Sequence, residues 1–410
     1  MADTLLTSTV ILNETMRMVQ NKSAFLPYIN KQFNDEFAKK GMKAGESVFP
    51  RRPVQYTIRS GATAVLQDVV ETSEPITIEP EFGIDFDFTD FDLTLKIDQF
   101  SERYLKTAAE DLATELDMRI ASRFYKRIYN HTGTPGQRPS SSLAVGQANA
   151  LLTNMGAPLG DRILSLEPLA MANMVDALKG AFNDQKSLSE QFRTGLVKTH
   201  LGCDYQSSPN VPVHTVGVYG GTPLSNGATQ GSTGANNAFV ATTAVVTDGW
   251  TATTTVLNEG DIITFAGVNA VNPRNKQDLG YLKQFVVTAA TVTDGSGNST
   301  ITVSPGVIAG GAYKNVTQRI PDNSAITVVT GASAAVHQQN VLFHPDAFTM
   351  VTVDLPIPAG QDMADKILHN GVSLRFIRGY DITNNKRICR FDIMAGFGSL
   401  NRDWAIRLTS

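Results

Sequence analysis

Cysteine is almost absent from this sequence of 410 residues, and so is any large excess of charge. The two cysteines, Cys203 and Cys389, can form at most one bridge, which excludes the disulfide-stapled class of secreted domains and favours a reducing compartment. The formal net charge is -4 and the pI is near 5.9, so no overall basic field attracts nucleic acid or anionic lipid. We therefore expect any contact with DNA to be passive containment.

Long apolar runs are also missing. No stretch approaches the roughly eighteen apolar residues that a membrane-spanning helix needs. The first segment, MADTLLTSTVIL, has no basic residues before its short apolar stretch, and this pattern argues against a signal peptide. We expect no association with a membrane.

Signatures of catalysis and of metal binding are missing as well. There is no G-x-S-x-G motif, and the Gly-rich loop at 294–297 lacks the helix and lysine of a phosphate-binding loop. His200 and Cys203 are spaced like two zinc ligands, but the second pair is absent. The acidic run in 85–92 lacks the turn glycine and terminal glutamate of a calcium loop. We expect no catalytic residue, no cofactor and no metal.

What the sequence does contain is, first, a region of β-type alternation from Ser47 to Ile97. The segments VQYTIR and PITIEPEFGIDFDFTDFDLTLKI predict a long β-hairpin or a small sheet. The apolar residues change parity after Phe88, which predicts a β-bulge near Thr89 and Asp90.

Because of this alternation, acidic residues share the polar face of this region, where like charges repel one another unless cations lie beside them. The acids are Asp85, Asp87, Asp90 and Asp92, and the nearest candidate cations are Arg51, Arg52 and Arg59.

The second pattern is an apolar repeat every three or four residues from Gln99 to Asn130. It predicts one long helix of roughly 45 Å. Asp98 or Ser101 can cap its start, and the loop GTPGQRPSSS ends it.

The third pattern is a change of composition. No Lys or Arg occurs between Lys198 and Arg274, and Gly, Thr, Ala, Val and Asn crowd the chain from Gly220 onward. The segments AFVATTAVV, DIITFAGV, QFVVTAATV and STITVSP predict a small all-β module that ends near residue 328. On either side, segments such as RILSLE, PLAMANMVDALKGAF, VLFHPDAFTMVTVDLP, SLRFIRGY, RICRFDIMAGF and WAIRL predict an α+β body. The all-β module is therefore predicted to be an insertion.

This order of elements resembles the Hong-Kong-97-type capsid fold of tailed bacteriophages, in its P-twenty-two-like coat-protein branch. The amino-acid sequences of three segments resemble this branch more specifically than the order of elements does. LNEGDIITFAGVNAVNP at 257–273 is similar to a strand of that branch's inserted domain, and NVLFHPDAFTMVTVDLPIP at 340–358 is similar to its return into the body. GLVKTHLGCDYQSSPNVPVHTVG at 195–217 is similar to the segment that enters the insertion.

The resemblance implies an α+β fold divided into five parts. These are an N-terminal arm at 1–45, an extended β-loop at 46–97, a spine helix at 98–135, a peripheral and axial body at 136–220 and 329–410, and an inserted small β-barrel at 221–328.

It also implies a structural major capsid protein that is not an enzyme. Such a protein forms pentamers and hexamers of a homo-oligomeric icosahedral shell, assembles with a scaffolding protein and a portal in the host cytoplasm, and encloses double-stranded DNA in the virion. In that setting we expect Arg51, Arg52, Arg59, Asp85, Asp87, Asp90 and Asp92 to lie at a subunit interface, where charges set register more than affinity.

Two alternatives remain open at this point. A bacterial nanocompartment shell protein of the same fold would also be non-enzymatic, but such relatives usually lack the inserted module at 221–328. A β-rich adhesin or carbohydrate-binding module would explain the Gly- and Thr-rich insertion, but it would not explain the long helix.

Overall fold

The computed structural model describes residues 8–31, 45–52, 54–59, 61–64, 66, 71–89, 105–178, 193–361, 363–383 and 386–409. The α-helices in these ranges are α1 (Ser8–Lys22), α2 (Lys106–Tyr125), α3 (Ser142–Asn154) and α4 (Pro168–Leu178). None of the described helices is long and apolar enough to cross a membrane.

The strands before the predicted insertion are β1 (Ser47–Val48), β2 (Ile76–Thr77), β3 (Phe82–Thr89), β4 (His131–Thr132), β5 (Arg162–Leu166), β6 (Thr199–His200), β7 (Cys203–Ser207) and β8 (Val213–Thr215). Those within it are β9 (Gly221–Ser225), β10 (Thr243–Trp250), β11 (Thr255–Leu257), β12 (Ile262–Val271), β13 (Asp278–Val287), β14 (Thr291–Val292), β15 (Ser299–Ser304) and β16 (Ile326–Val328). Those after it are β17 (Val336–Gln338), β18 (Asn340–Phe343), β19 (Thr349–Thr352), β20 (Met363–His369), β21 (Val372–Asp381), β22 (Lys386–Ile393), β23 (Ala395–Gly398) and β24 (Ala405–Leu408). The protein is therefore of mixed α+β class.

The chain divides into two compact units. The first consists of Met1–Pro50, Glu74–Ala121 and Phe348–Leu400. The second consists of Arg51–Ser73, Ser122–Ala347 and Asn401–Ser410.

The first unit contains an antiparallel four-stranded sheet in the order β20-β21-β22-β3. Two smaller ladders, β1 with β2 and β19 with β23, accompany it. Their apolar side chains form one buried cluster of Val48, Ile76, Ile78, Val351, Val353, Leu355 and Met394.

The partner of β3 differs from the one that the sequence predicts. The expected hairpin or small sheet is present in part, because β1 pairs with β2 and Arg51 bridges to Ser73. Residues 54–59, however, form no strand, and β3 pairs along its whole length with β22. The register is continuous from Phe82 opposite Ile393 to Thr89 opposite Lys386, so there is no bulge up to Thr89. Asp90 lies outside the described residues. The β22 pairing is favoured because both strands alternate with the same period and place aromatic side chains on one face.

The long helix is shorter than its apolar repeat suggests. Residues 99–104 lie outside the described residues, and α2 ends at Tyr125, before the predicted end at Asn130. A tighter turn follows the helix, in which Arg127 N donates to Phe124 O at 3.0 Å and Ile128 N donates to Tyr125 O at 3.1 Å. It then becomes extended because His131 pairs in parallel with Arg407 of β24, and this sheet pairing ends the helix.

The second unit contains a mixed six-stranded sheet in the order β4-β24-β18-β5-β7-β6, which we call the body sheet. Helices α3 and α4 cover its apolar face, where Leu164, Leu342 and Ile406 are fully buried. Ser141 caps α3 by accepting a hydrogen bond from Ala144 N at 3.3 Å, and Arg162 donates to Ala157 O just beyond the end of the helix at 2.9 Å. The predicted strand RILSLE and the helix that follows it are confirmed.

The same unit contains a six-stranded sheet in the order β16-β12-β13-β15-β10-β9, which we call the inserted sheet. All of its strands come from Gly221 to Val328, and the four segments predicted as strands correspond to β10, β12, β13 and β15. A single bridge between Leu224 and Ala325 links its two outer strands. Strands β8 and β17, which flank this stretch of sequence, pair with each other.

Candidate subunit-interface surface

Strand β3 alternates apolar and acidic side chains. Phe86 stacks on Phe391 of β22 with ring centroids 6.0 Å apart, and Phe391 lies 5.0 Å from Phe376 of β21. Because successive side chains of a strand point to opposite faces, Asp85 and Asp87 lie on the other face of the sheet. The aromatic contacts therefore determine which way the acidic residues point.

Asp85 and Asp87 have their counter-charges on the adjacent strand. Arg390 is directly opposite Asp85, and its Nε and Nη2 donate to the two carboxylate oxygens at 2.7 and 2.8 Å. Lys386 Nζ donates diagonally to Asp87 Oδ2 at 2.6 Å. The bidentate pair fixes the orientation of both side chains more firmly than a single contact would.

These ion pairs shift the pKa values of their members. The hydrogen bond from Arg390 lowers the pKa of Asp85, and the hydrogen bond from Lys386 lowers the pKa of Asp87. Asp87 in turn raises the pKa of Lys386. All four side chains are about half exposed, so solvent screens both pairs and their contribution to folding stability is small. Their main consequence is an ordered pattern of surface charge.

A more buried ion pair continues this pattern on the same sheet. Arg375 Nη2 donates to Asp392 Oδ2 at 2.6 Å and to Glu81 Oε2 at 3.3 Å. Burial raises the pKa of Asp392, and the hydrogen bond from Arg375 opposes that shift. The side chains of Arg375 and Asp392 are only 11% and 6% exposed, so this pair belongs to the sheet itself rather than to its outer surface.

An exposed apolar residue lies between the two surface ion pairs. Ile388 is directly opposite Asp87, between Lys386 and Arg390 in the strand, and it is 48% exposed. An apolar centre with a charged rim is the arrangement found at contacts between proteins. We call Asp85, Asp87, Lys386, Ile388 and Arg390 the β3–β22 surface.

The three arginines that were expected to pair with these acids have other partners within the second unit. Arg51 Nη1 donates to Glu71 Oε2 at 2.6 Å. The guanidinium of Arg52 lies 5.0 Å from the ring centroid of Phe239, and Arg59 donates to the backbone oxygens of residues 61 and 63. Asp90 and Asp92 lie outside the described residues. The expected role of all seven charged residues at an interface stays a prediction.

The counter-charges Lys386 and Arg390 were not singled out by the sequence. A signal for them exists, since Lys386, Ile388 and Arg390 share one parity in the strand KRICRFDI. That parity shows a charged face, but it does not show which strand lies beside it.

The side chains that could bind a metal ion are dispersed in the part of the chain that the structure describes. No group of three or more His, Cys, Asp or Glu side chains there could hold a metal ion. His200 and Cys203 are opposite each other in the β6–β7 ladder, and burial raises the pKa of the Cys203 thiol to about 11.

Comparisons with known proteins find similarity over most of the chain. The family described as "P22 coat protein - gene protein 5" matches residues 76–405. No curated protein sequence matches the chain.

Several solved structures are similar in part. A structure of Mycobacterium phage Che8 is 13% identical, with 94% of this chain and 90% of that chain covered and a TM-score of 0.46. The capsid structure of the cyanophage P-SCSP1u is 11% identical, with 89% and 84% covered and a TM-score of 0.43. The I-domain of the CUS-3 coat protein is 22% identical and matches 27% of this chain and 97% of its own length, with a TM-score of 0.21.

Proposed function

The chain belongs to the P22 coat protein family, and we infer from this that it is a structural major capsid protein of a tailed bacteriophage. From this premise we propose that its pentamers and hexamers assemble with a scaffolding protein and a portal, in the host cytoplasm, into an icosahedral shell around double-stranded DNA. It catalyses no reaction in this proposal. The observation that carries the proposal is the family match, which spans 76–405 and so covers large parts of both compact units.

We propose further that the chain has the Hong-Kong-97-type fold, with an arm at 1–45, an extended β-loop at 46–97, a spine helix at 98–135, a body at 136–220 and 329–410, and a β-barrel at 221–328. Helix α2 supports the spine, and the bridge between Leu224 and Ala325 supports closure of the inserted sheet into a barrel.

The exposed apolar side chains of the segment 54–66 support a contact with a neighbouring subunit. Tyr56, Ile58 and Leu66 are 60%, 94% and 96% exposed. Large apolar residues exposed in this way on a segment without a strand partner mark a surface that another chain covers. The β3–β22 surface is the second contact that we propose, with its charges setting register.

Electron microscopy of the purified full-length chain tests the assignment. The protein is expressed alone and then together with the proteins encoded beside it, and the particles are separated by size exclusion. We expect closed shells with the partners, and shells or open tubes without them. A stable monomer or small ring under both conditions would overturn the proposal.

The charged contact has its own test. The double variant Asp85→Asn, Asp87→Asn is expected to slow assembly and to weaken the dependence of the assembly rate on salt, because it removes the acceptors that orient Lys386 and Arg390. The charge-matched control is the pair of changes Asp111→Asn and Asp176→Asn, at exposed positions of α2 and α4. If the double variant and this control assemble alike at every salt concentration, the β3–β22 surface is not an interface.

A further inference from the structure

The body sheet buries a polar face as well as an apolar one, next to the strands through which the chain enters and leaves the inserted sheet. The buried and half-buried polar side chains here come from six segments of the second unit, and we call them the polar seam. Its members are His131, His214, Asp261, Lys283, His337, Gln339 and Arg407. Only one member of this set, Asp261, is an acid.

Arg407 lies at the centre of the seam. It is 0% exposed, and its Nη1 donates to Gly260 O at 2.7 Å while the guanidinium lies 5.3 Å from the ring centroid of Tyr125. Its Nε and Nη2 have no hydrogen-bond partner among the described residues. Burial lowers the pKa of Arg407 to about 10. Asp261 opposes this shift from a distance, but no carboxylate of the described residues is hydrogen-bonded to Arg407. A buried cation of this kind is costly, so a further positive charge beside Arg407 is strongly disfavoured.

Two histidines lie within the field of that cation. His131 is opposite Arg407 in the parallel ladder, is 4% exposed, and its Nε2 lies 3.1 Å from Thr409 Oγ1. Burial lowers the pKa of His131 to about 3, and Arg407 adds to the shift. Burial also lowers the pKa of His337, and His214 and Arg407 add to the shift, whereas a hydrogen bond with the backbone of Thr330 and the charge of Asp261 oppose it.

Both carboxylate oxygens of Asp261, the single acid of the seam, already have hydrogen-bond partners. Asp261 Oδ1 lies 2.9 Å from His214 Nε2, and Asp261 Oδ2 accepts hydrogen bonds from Gly217 N at 3.0 Å and Asn258 N at 2.7 Å. It is 0% exposed and cannot turn toward His131 or His337 without breaking these contacts.

The other charged groups near the seam do not supply a counter-charge. Glu259 is paired with Lys126 at 2.8 Å, and Lys283 lies over the ring of Tyr129 at 4.3 Å, where burial lowers the pKa of Lys283 to about 7. The titratable and charged groups around the two histidines are therefore Tyr125, Lys126, Tyr129, His214, Glu259, Asp261, Lys283 and Arg407.

We propose that the polar seam is an acid-sensitive joint: when the pH falls, proton uptake by His131 and His337 separates the β8–β17 ladder from the polar face of the body sheet. Helices α3 and α4 stay packed, because their buried side chains cluster with Leu164, Leu342 and Ile406 on the apolar face of that sheet. The device responds to protons because, among the described residues, neither histidine is hydrogen-bonded to a carboxylate in the closed joint.

The sign of the effect follows from the lowered pKa values. Above the ordinary histidine pKa of 6.5, both histidines are neutral in the closed and the open joint, so the protonation of these two residues favours neither state. Below it, the open joint binds protons that the closed joint excludes, so closure weakens as the pH falls from 6.5 towards about 3. At pH 5, His131 alone is expected to increase the opening equilibrium about 30-fold relative to pH 8.

Hydrogen exchange of the full-length chain in assembled shells, corrected for the intrinsic pH dependence of exchange, tests this joint. Protection of β8, β17 and β24 is expected to fall about 30-fold or more between pH 8 and pH 5, while α3 keeps its protection. His131→Gln is expected to remove about 30-fold of this pH dependence, and adding His337→Gln to remove more. His200→Gln, in the β6 edge of the same body sheet, is the matched control and is expected to change nothing.

Two results would overturn the proposal. One is equal protection of β8, β17 and β24 in the unaltered protein at pH 8 and pH 5, a measurement that does not depend on any variant folding. The other is an unchanged pH dependence in the double histidine variant.

Discussion

Asp117 is predicted to be the most sensitive acidic position of the first unit. It is 1% exposed in the middle of α2, and its carboxylate accepts hydrogen bonds from Ser23 Oγ at 2.5 Å, Ala24 N at 2.7 Å and Phe25 N at 3.2 Å. Ser23 Oγ in turn accepts from Leu26 N at 3.1 Å. One carboxylate therefore holds the turn that follows α1.

Asp117→Asn keeps the size of the side chain but replaces one acceptor oxygen with a donor that faces other donors. The contact from Ala24 N is lost when the amide nitrogen takes the place of Oδ2, and the two contacts to Oδ1 lose their charged acceptor, which makes a hydrogen bond worth about 1.5 kcal/mol or more. We expect the free energy of opening of this turn to fall by about 3 kcal/mol. Asp117→Ala, which leaves all three donors without an acceptor, is expected to cost about 4 kcal/mol.

Native-state hydrogen exchange at Phe25 and Leu26 measures this free energy directly, and it does not require the two units to unfold together. Asp111→Asn, at an exposed position of the same helix, is the matched control and should cost less than about 0.5 kcal/mol. If Asp117→Asn and Asp111→Asn gave the same protection, the charge on Asp117 would not hold the turn and the argument would be refuted.

Three further predictions concern other parts of the fold. Arg162→Met removes five donated hydrogen bonds around the end of α3. It is expected to lower the stability of that helix, measured by hydrogen exchange, by about 3 kcal/mol. Arg193→Met, at an exposed position, is the control and should change this stability little. A methyl group added by Gly146→Ala would lie in open space, so this change should raise the stability of α3 by about 0.5 to 1 kcal/mol. A methyl group added by Gly83→Ala would clash with Phe391 O, so this change should expose β3 to proteolysis. Stabilisation by both changes would contradict the geometry. Because burial lowers the pKa of Lys283 to about 7, unfolding by urea should become harder from pH 7 to pH 9 by about 2 kcal/mol, and Lys283→Met should abolish this gain if Lys283 causes it.

Local patterns in the sequence predict many of the strands but not all of their partners. Period-two alternation locates β10, β12, β13 and β15, and the parity of 82–89 places Asp85 and Asp87 on one face. The pairing of β3 with β22 joins residues about 300 positions apart, as the contact between Arg390 and Asp85 shows, and no turn or spacing near β3 reports it. The counter-charges of the acids could therefore not be named from the sequence.

The end of α2 and the polar seam were missed for a related reason. The apolar repeat continues to Ile128, but sheet pairing at His131 competes with the helix, and pairing with Arg407 is not visible in a local window. Each histidine of the seam looks like an ordinary packed residue in its own segment. Only the fold brings His131, His214 and His337 together around Arg407.

The pairing of β8 with β17 also has a consequence for the evolution of the chain. Because His214 is opposite His337, the chain leaves the body sheet and returns to it at almost the same point, with more than one hundred intervening residues that form the inserted sheet. Segments whose ends lie close together are the ones that genomes exchange, lengthen or lose without disturbing the rest of a protein. Recombination among related viruses could therefore replace the stretch between these two strands as a cassette, provided that the incoming sequence keeps the paired stem.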